Sequence, residues 1–441
     1  MKKLILSVFA IVNTIILLSQ ENMVFDKIAD TIDIQGFSVL TSRLPGNLVL
    51  NSHVGLVTVP AINGQLIFQS DAANKQYVYE TRATITPKGD YLLMFPLGQH
   101  YGTSIKKVND MMAFRSKDKG KTWQGPTLAY DIEYNQHGFI PLIPKGSNRI
   151  YNFGTQPIPY AYTRENGLHE NAPIGYRYSD DDGYTWSEVK IISPVNDPGF
   201  RGMSVMRMCE TDRGTWILGT HEGDWSYSPL ITRQYLLRSE DQGKTWQLLP
   251  DKRHKGWFVP CFGRMDEGRP INLGNDKVFA MFRTPEGHLW GSWSNDDGKT
   301  WSKPVATSLI HPDAPPMLFM LSDGKTLIAL HHNKAINNDA NLGGNPKIHL
   351  NRSEIWFATS SDGGHTWNEP RLLFVNALGP AFNSPFRDYN CSYVDAFTDN
   401  GVLHIFLPHR WQRVLYLTIN EKDLSKCPTK KELGLVETVK K

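Results

Sequence analysis

The stretch from residue 264 to residue 283 holds the residue types best suited to acid–base and anion-binding chemistry. Glu267 lies in its polar first half, and Arg283 follows 16 residues later at the end of an apolar run. That spacing crosses one β-hairpin and returns to a neighbouring strand. A carboxylate can accept a proton, whereas a guanidinium group keeps its charge and binds a carboxylate through two parallel hydrogen bonds. We therefore expect Glu267 and Arg283 to lie close together, either holding the sheet or forming part of a site.

Other candidate residues are spread along the chain. Tyr389 and Tyr393 lie near the C-terminus, and a phenol can act as a nucleophile when a carboxylate takes its proton. His221 and Glu222 are followed closely by an Asp-Trp pair. Such a mixture of polar and aromatic groups suits the hydroxyl edges and apolar faces of a sugar, and we expect it on a loop between strands. Arg410, at the end of the last apolar run, is a further candidate for substrate binding.

The elements that position these residues are indicated by a repeated phrase, Ser-x-Asp-x-Gly-x-Thr-Trp. It occurs five times at intervals of 55 to 66 residues, at Ser116–Trp123, Ser179–Trp186, Ser239–Trp246, Ser294–Trp301 and Ser360–Trp367. Self-similarity at a nearly fixed period indicates one supersecondary unit that is copied and stacked.

Each copy of the phrase follows a short apolar or aromatic run, which predicts a strand that enters a tight turn. The Asp carboxylate can accept backbone N–H groups in such a turn, and the Gly supplies a positive φ. The Trp that starts the next strand can be buried between neighbouring sheets. A catalytic carboxylate is needed once, whereas these aspartates recur in every unit. We therefore interpret them as structural.

The repeated phrase resembles the Asp box of sialidases and related β-propellers. This resemblance implies an all-β, six-bladed β-propeller with five Asp-box repeats, with seven blades as the alternative. We expect the segment near Phe37–Leu40 to close the ring against the last blade, because radial closure leaves only short, protected sheet edges. The Asp box marks a fold rather than a substrate, so function must be argued from other residues.

Four arginine and glutamate positions are similar to those of the sialidase site. Arg82 begins an inner strand, like the sialidase Arg that precedes Ile-Pro and holds the substrate carboxylate. Glu267 and Arg283 resemble the family's catalytic Glu and second carboxylate-binding Arg. Arg352, eight residues before the last Asp box, resembles the third. The resemblance implies three guanidinium groups from three sheets around a carboxylate, with Glu267 as the base that activates a tyrosine.

The chain departs from the sialidase pattern at three points. Ala-Thr replaces Ile-Pro after Arg82. No carboxylate stands where the family has its acid Asp, although His100 nearby could donate a proton because imidazole titrates near neutrality. Alignment on the turn Gly places Ser392 at the position of the nucleophilic Tyr. Tyr389 would then need a short insertion, and Tyr393 a one-residue slip that reverses its face. We favour Tyr389 slightly and keep Tyr393 as the alternative.

Composition and charge narrow the functional classes. The formal net charge is +3, and the sequence has no long basic run, so nucleic acid is not an expected partner. Residues 1–20 join two lysines to an apolar run, a pattern typical of an export signal, although an uncleaved anchor is the alternative. We expect residues 21–441 to form a single propeller domain that is periplasmic or secreted.

The cysteines are too scattered for a zinc site or a redox pair. We expect them to be mostly buried free thiols, with one disulfide possible. They are Cys209, Cys261, Cys391 and Cys427.

The sequence thus predicts an exported, sialidase-like glycoside hydrolase that releases a terminal acidic sugar from a glycan. No cofactor, metal ion or stable membrane partner is expected, and the protein should be a monomer. One alternative is a polysaccharide lyase or atypical hydrolase that uses His and Tyr on uronate-containing glycans, which would account for the missing acid Asp. The other is a carbohydrate-binding propeller without catalytic activity.

Overall fold

The computed structural model describes most of the chain after residue 30. The described segments are 31–34, 37–40, 47–49, 56–58, 63–70, 77–98, 109–132, 138–155, 171–251, 255–335, 351–352, 354–375, 390–409 and 411–432. Within them the regular secondary structure is almost entirely β, and the longest exception is the 3₁₀-helix Glu421–Lys426.

The N-terminal strands form two short hairpins and one strand of a larger sheet. These strands are β1 (Thr31–Ile34), β2 (Phe37–Leu40), β3 (Asn47–Val49), β4 (Leu56–Thr58) and β5 (Asn63–Gln69). β1 pairs with β2 and β3 pairs with β4, both antiparallel.

Six antiparallel sheets follow in chain order, and each is one blade. Blade 1 contains β6 (Tyr77–Val78), β7 (Arg82–Ile85), β8 (Tyr91–Gly98), β9 (Asn109–Ser116) and β10 (Gln124–Ile132); β6 and β7 both pair with β8. Blade 2 contains β11 (Gly138–Leu142), β12 (Ile150–Thr155), β13 (Ile174–Ser179) and β14 (Lys190–Ile191). Blade 3 contains β15 (Ser204–Glu210), β16 (Trp216–Asp224), β17 (Ile231–Ser239) and β18 (Gln247–Leu249).

The remaining three blades have the same order of strands. Blade 4 contains β19 (Asp266–Gly274), β20 (Lys277–Arg283), β21 (His288–Ser294) and β22 (Val305–Ile310). Blade 5 contains β23 (Met317–Met320), β24 (Leu327–His331), β25 (Glu354–Ser360) and β26 (Arg371–Val375). Blade 6 contains β27 (Asp395–Asp399), β28 (Val402–His409), β29 (Arg413–Asn420) and the N-terminal strand β5.

The ring closes because β5 completes blade 6 by pairing with β29. Phe37–Leu40, which the sequence placed at this position, instead pairs with Thr31–Ile34 in the first hairpin. The expectation that Phe37–Leu40 closes the ring was therefore wrong, and β5 is the closing strand. The innermost strands of the six blades pack against one another in chain order, and β27 of blade 6 returns to β7 of blade 1. These innermost strands are β7, β11, β15, β19, β23 and β27. The prediction of a six-bladed β-propeller is therefore confirmed.

The five Asp boxes occupy equivalent places, each at the end of the next-to-last strand of its blade. In the first box the Ser116 hydroxyl donates to the Asp118 carboxylate (2.8 Å), and the Gly120 N–H donates to the Ser116 oxygen (2.7 Å). Asp118 also accepts from the N–H and the hydroxyl of Thr122 (2.9 and 2.6 Å). Equivalent bonds recur in the other four boxes. The carboxylates act as turn formers, as the sequence predicted.

Neighbouring blades are joined by buried ion pairs as well as by apolar packing. Arg115 of blade 1 contacts Asp182 of blade 2 at 3.0 Å, and Arg238 of blade 3 contacts Asp297 of blade 4 at 3.0 Å. Both aspartates directly precede the Gly of an Asp box and have a positive φ, 67° and 63°. The turn therefore also positions a carboxylate against the adjacent sheet.

Two further expectations concern the cysteines and the membrane. All four cysteines are free thiols; Cys391 and Cys427 are buried, Cys209 is half-buried and Cys261 is exposed. Among the residues that the structure describes, no helix has the length and apolar character needed to cross a membrane. The proposed export signal, residues 1–20, lies outside these residues.

Candidate active site

The candidate site is built on the adjoining ends of β19 and β20. Asp266, the first residue of β19, is paired in register with Arg283, the last residue of β20. A β-bulge between Asp266 and Arg269 interrupts the pairing there, and Glu267 has a positive φ of 51°. A bulge re-aims side chains at the end of a strand. The Glu267 side chain consequently does not follow the alternating side-chain directions of a regular strand.

The carboxylate of Glu267 meets the phenol of Tyr393. The Tyr393 hydroxyl donates to Glu267 Oε1 at 2.9 Å, and both residues are buried, 4% and 3% exposed respectively. Arg283 Nη1 lies 2.7 Å from Glu267 Oε2 and donates to the Tyr393 oxygen at 3.3 Å. A carboxylate that can accept the phenolic proton and a cation that can stabilise the resulting phenolate are therefore both in contact with one tyrosine.

Tyr393 reaches this position because it does not belong to a regular strand. It lies just before β27 and has a positive φ of 62°. The backbone oxygen of Tyr393 accepts from the N–H of Thr81 in blade 1 (3.4 Å), which fixes the segment against the first blade. The strand alternation on which the sequence comparison relied does not apply to such a residue. Tyr389, the slightly favoured candidate, lies outside the described residues.

Arg283 is also bound by two aspartates beneath the Tyr393–Glu267 pair. Its Nε lies 2.5 Å from Asp313 and 3.3 Å from Asp266. Arg264 contacts the same two carboxylates, Asp266 at 2.9 Å and Asp313 at 2.8 Å. Burial by itself would lower the pKa of Arg283, but Asp313, Glu267 and Asp266 outweigh it and raise that pKa well above its usual value. Arg283 is thus a permanently charged member of a buried network.

Arg352 is held differently. Its Nη2 donates to the backbone oxygen of Asp313, and its Nε is buried without a hydrogen-bond partner among the described residues. Burial, followed by the nearby charge of Arg283, lowers the pKa of Arg352. The negative charges that act on Arg352 include those of Glu267 and Asp313. Arg352 therefore retains more capacity to bind an external anion than Arg283 does.

His221 lies next to Glu267, whereas Glu222 faces another side of the sheet. His221 Nδ1 is 3.4 Å from the Glu267 backbone nitrogen and 3.4 Å from Ser204 Oγ. Burial lowers the pKa of His221 to about 4, so the imidazole is neutral near pH 7. Both residues belong to β16 and not to a loop, which corrects the sequence-based expectation. Adjacent strand residues point to opposite faces, and Glu222 is paired in register with Arg233.

Arg82 is placed in a neighbouring group of charges. It is 1% exposed, its Nη2 lies 3.1 Å from Glu80, and its Nη1 donates to the Thr81 oxygen at 2.7 Å. None of its contacts in the described structure is with Arg283 or Arg352. The structure thus brings two of the three predicted arginines to the Tyr393–Glu267 pair. The role of Arg82 in binding a carboxylate remains a prediction.

Several members of the site were not singled out from the sequence, and two candidates besides Tyr389 lie beyond the described residues. Asp313 and Arg264 have no distinctive sequence signal, although each comes shortly before the first strand of a blade. Asp266 directly precedes Glu267, and this adjacency was the available signal. His100 and Arg410 lie outside the described residues. Within the described chain, no group of three or more His, Cys, Asp and Glu side chains is arranged to hold a metal ion.

The fold and this site define the class: a six-bladed Asp-box propeller of the sialidase-like type, whose blades bring a tyrosine, a glutamate and arginines together. The family model of the BNR repeat-like domain matches residues 170–405, which is more than half of the chain, and the protein belongs to that family.

Relatives with known names include glycosidases of different kinds. A sialidase from Bacteroides fragilis is 22% identical over 316 residues, 66% of this chain and 54% of the relative. A xyloglucanase from Paenibacillus sp. is 23% identical over 205 residues, 44% of this chain and 19% of the relative. The chain thus spans about half of the first relative and about a fifth of the second. The NanB sialidase structure from Streptococcus pneumoniae superimposes with a TM-score of 0.58 at 15% identity, covering 81% of this chain and 71% of that one.

Proposed function

We propose that the protein is an exported glycoside hydrolase that releases a terminal acidic sugar from a glycan. The observation that carries the proposal is the buried contact of Tyr393 with Glu267 at 2.9 Å, bridged by Arg283. A tyrosine within hydrogen-bond reach of a base, with the base oriented by a third group, is the arrangement expected of an activated nucleophile. The similarity to sialidases supports the same reading.

In the proposed reaction the Tyr393 oxygen attacks the anomeric carbon of the sugar while its proton passes to Glu267. The bond from the anomeric carbon to the leaving oxygen breaks, and that oxygen takes a proton from a general acid, for which His100 is the candidate. Arg283 stabilises negative charge on the phenol oxygen during attack and departure. Water then hydrolyses the sugar–tyrosine bond, so the configuration at the anomeric carbon is retained.

The acidic group of the sugar is proposed to bind Arg352 and the accessible part of Arg283. Guanidinium is suited to this task because its planar fork matches a carboxylate and it keeps its charge. The charge of Arg283 is shared with Asp266, Glu267 and Asp313. The guanidinium of Arg352, whose one hydrogen bond in the described structure is to a backbone oxygen, is therefore the principal anion-binding group. Arg82 is proposed to contribute from the neighbouring strand.

The decisive experiment is to trap the covalent intermediate. The purified protein is assayed with a panel of aryl glycosides of sialic and uronic acids, and then incubated with a fluorinated analogue of the best substrate. A mass increase on the peptide that contains Tyr393, lost in Tyr393→Phe and strongly slowed in Glu267→Gln, would support the proposal. Tyr184→Phe is the matched control, because Tyr184 is 54% exposed and lies in an Asp box. Labelling of Tyr389 or another residue would refute the assignment of the nucleophile.

A lyase is the second candidate, and the position of His221 favours it. His221 is neutral and contacts the backbone nitrogen of Glu267, whose carboxylate contacts the Tyr393 hydroxyl. An imidazole and a phenol near one glutamate are the groups that proton transfer at a uronate would need. Elimination would create a C=C bond that absorbs ultraviolet light, whereas hydrolysis would not. Tight glycan binding without any turnover across the panel would instead indicate a non-catalytic propeller.

Export is proposed on the basis of residues 1–20, whose lysines and apolar run fit a signal sequence. Expression of the full chain, followed by fractionation and N-terminal sequencing, tests this separately. Recovery in the cytoplasm with an intact N-terminus would refute export without affecting the proposed chemistry.

A further inference from the structure

The segment that carries Tyr393 is held by two residues of blade 5. The Cys391 N–H donates to the backbone oxygen of Arg352 at 3.0 Å. One residue later, the Ser392 side-chain oxygen lies 2.9 Å from Nε2 of His332, which directly follows β24. Ser392 and His332 are both 0% exposed. The residue that precedes Tyr393 is therefore tied through its side chain to the neighbouring blade.

The direction of the Ser392–His332 hydrogen bond is set by the other ring nitrogen. His332 Nδ1 lies 2.8 Å from the backbone oxygen of Glu354 on β25, and because a carbonyl oxygen only accepts, Nδ1 carries the proton. Burial lowers the pKa of His332 to about 3, so the ring is neutral and its Nε2 accepts from the Ser392 hydroxyl. The His311 ring stacks on that of His332 with centroids 5.1 Å apart, and His311 Nδ1 accepts the His332 N–H at 3.2 Å. His332 is thus a hydrogen-bond acceptor with a fixed orientation.

Tyr393 has a backbone conformation that needs such support. Its φ is 62°, a value that a bulky residue rarely adopts and keeps only where its surroundings hold it. This conformation directs the phenol to Glu267 at 2.9 Å. The bond from the Thr81 N–H to the Tyr393 oxygen is long, 3.4 Å, whereas the Ser392–His332 bond is 2.9 Å. The tighter contact thus acts on the residue from which the Tyr393 backbone starts.

We propose that His332 is a positioning residue for Tyr393: it accepts the Ser392 hydrogen bond and thereby holds the phenol against Glu267. This inference rests on the proposed function, in which Tyr393 attacks the sugar. Ser392 and His332 are fully buried, so they act on the rate of attack and not on contact with the substrate. A displacement of a reacting group by about 1 Å can slow a reaction about 100-fold.

Ser392→Ala tests the contact by removing a single oxygen atom. We expect kcat to fall about 10- to 100-fold with KM within about twofold, and labelling of Tyr393 by the fluorinated analogue to slow by the same factor. Ser292→Ala is the matched control, because Ser292 is also 0% exposed and its hydroxyl donates to the Ser302 backbone oxygen at 2.6 Å. The control should lose stability to a similar extent and keep the wild-type kcat. A wild-type kcat in Ser392→Ala would overturn the proposal.

A double-variant cycle identifies His332 as the partner through which Ser392 acts. His332→Phe keeps a ring against His311 and removes both nitrogens. Because the two side chains make one hydrogen bond, the double variant should lose no more kcat than the slower single variant. A loss equal to the product of the two single losses would overturn the proposal. If His332→Phe does not fold, Ser392→Ala decides alone.

A crystal structure of Ser392→Ala separates this inference from the proposed function, because it needs no substrate. The Tyr393–Glu267 contact should lengthen from 2.9 Å to beyond about 3.5 Å. If the wild type turns over no acidic glycoside, the proposed function fails, whereas a displaced phenol still supports the positioning contact. An unchanged contact would overturn the positioning role whether or not the protein is active.

Discussion

Removal of Arg283 should strongly destabilise the protein, whereas removal of Arg352 should lower activity with little loss of stability. In Arg283→Met, three buried carboxylates lose a shared cation, and Arg264 is left to contact Asp266 and Asp313. Breaking a buried charge pair destabilises by about 3–5 kcal/mol. We expect at least that loss in the free energy of unfolding. Arg352→Met removes one hydrogen bond to a backbone oxygen, for which we expect a loss of about 1–2 kcal/mol.

The deficit of Arg283→Met should depend on pH. In the wild-type protein burial raises the pKa of Asp266, but Arg283 and Arg264 outweigh it and the net pKa lies below 3.8. Asp266 therefore stabilises the fold above pH 3.8, and this contribution is lost as the pH falls through the lower folded value. Without Arg283 the largest charge that lowers this pKa is removed, so the pKa of Asp266 rises and its protonation in the folded variant begins at a higher pH than in the wild type. The difference in stability between the variant and the wild type should therefore shrink as the pH falls toward 4.

The assay is urea denaturation between pH 4.5 and pH 8, together with kcat/KM on the best acidic substrate. Arg352→Met should reduce kcat/KM by roughly 100-fold, which corresponds to about 2.7 kcal/mol of lost transition-state binding. It should do so with nearly normal stability. Wild-type stability of Arg283→Met would refute the structural reading of its ion pairs. Undiminished turnover by Arg352→Met would refute the assignment of Arg352 to the substrate anion.

Two further predictions test the ring and the buried histidines. Asp182→Asn should lose about 3 kcal/mol of unfolding free energy, because Asp182 is 3% exposed and its ion pair joins two blades. Asp180→Asn should lose less than about 1 kcal/mol, because its ion pair is on the surface. Equal urea midpoints for the two variants would contradict this. Burial lowers the pKa of His221 and of His331 to about 4, and a buried neutral histidine binds fewer protons than the unfolded chain below pH 6.5. Thermal stability should therefore decrease as the pH falls from 6.5 to 4, and NMR titration should show these two imidazoles neutral at pH 6; a protonated imidazole at pH 6 would contradict it.

The architecture was predictable because the Asp box is a local signal with a local cause. Its hydrogen bonds join residues no more than four positions apart, such as Ser116 to Gly120 and Asp118 to Thr122. The sequence of such a turn determines its conformation, and the spacing of its copies along the chain gives the length of one repeated unit. The strand that closes the ring was harder to predict, because it comes from the other end of the chain. No local pattern distinguishes Asn63–Gln69 from Phe37–Leu40 as the partner of β29.

The site was predictable only where its spacing follows one hairpin. Glu267 and Arg283 are brought together by adjacent strands of one blade, so their separation in sequence reports their proximity. Tyr393 lies in an irregular segment with a positive φ, and counting residues along a strand gives no information about its direction. Asp313 reaches Arg283 from the next blade. Contacts between blades depend on the packing of whole sheets, which a single sequence does not reveal.

The topology explains why charged residues gather at the hub and what their balance implies. The innermost strands of the blades meet around the axis, and Arg82, Asp266 and Asp395 are each the first residue of such a strand. Their meeting is fixed by the fold, so the presence of charge there says little about a ligand. The charge that remains unmatched says more, since pairs formed within the protein stabilise the protein alone. The guanidinium of Arg352 is less fully paired than that of Arg283, and it is at Arg352 that an external anion should bind.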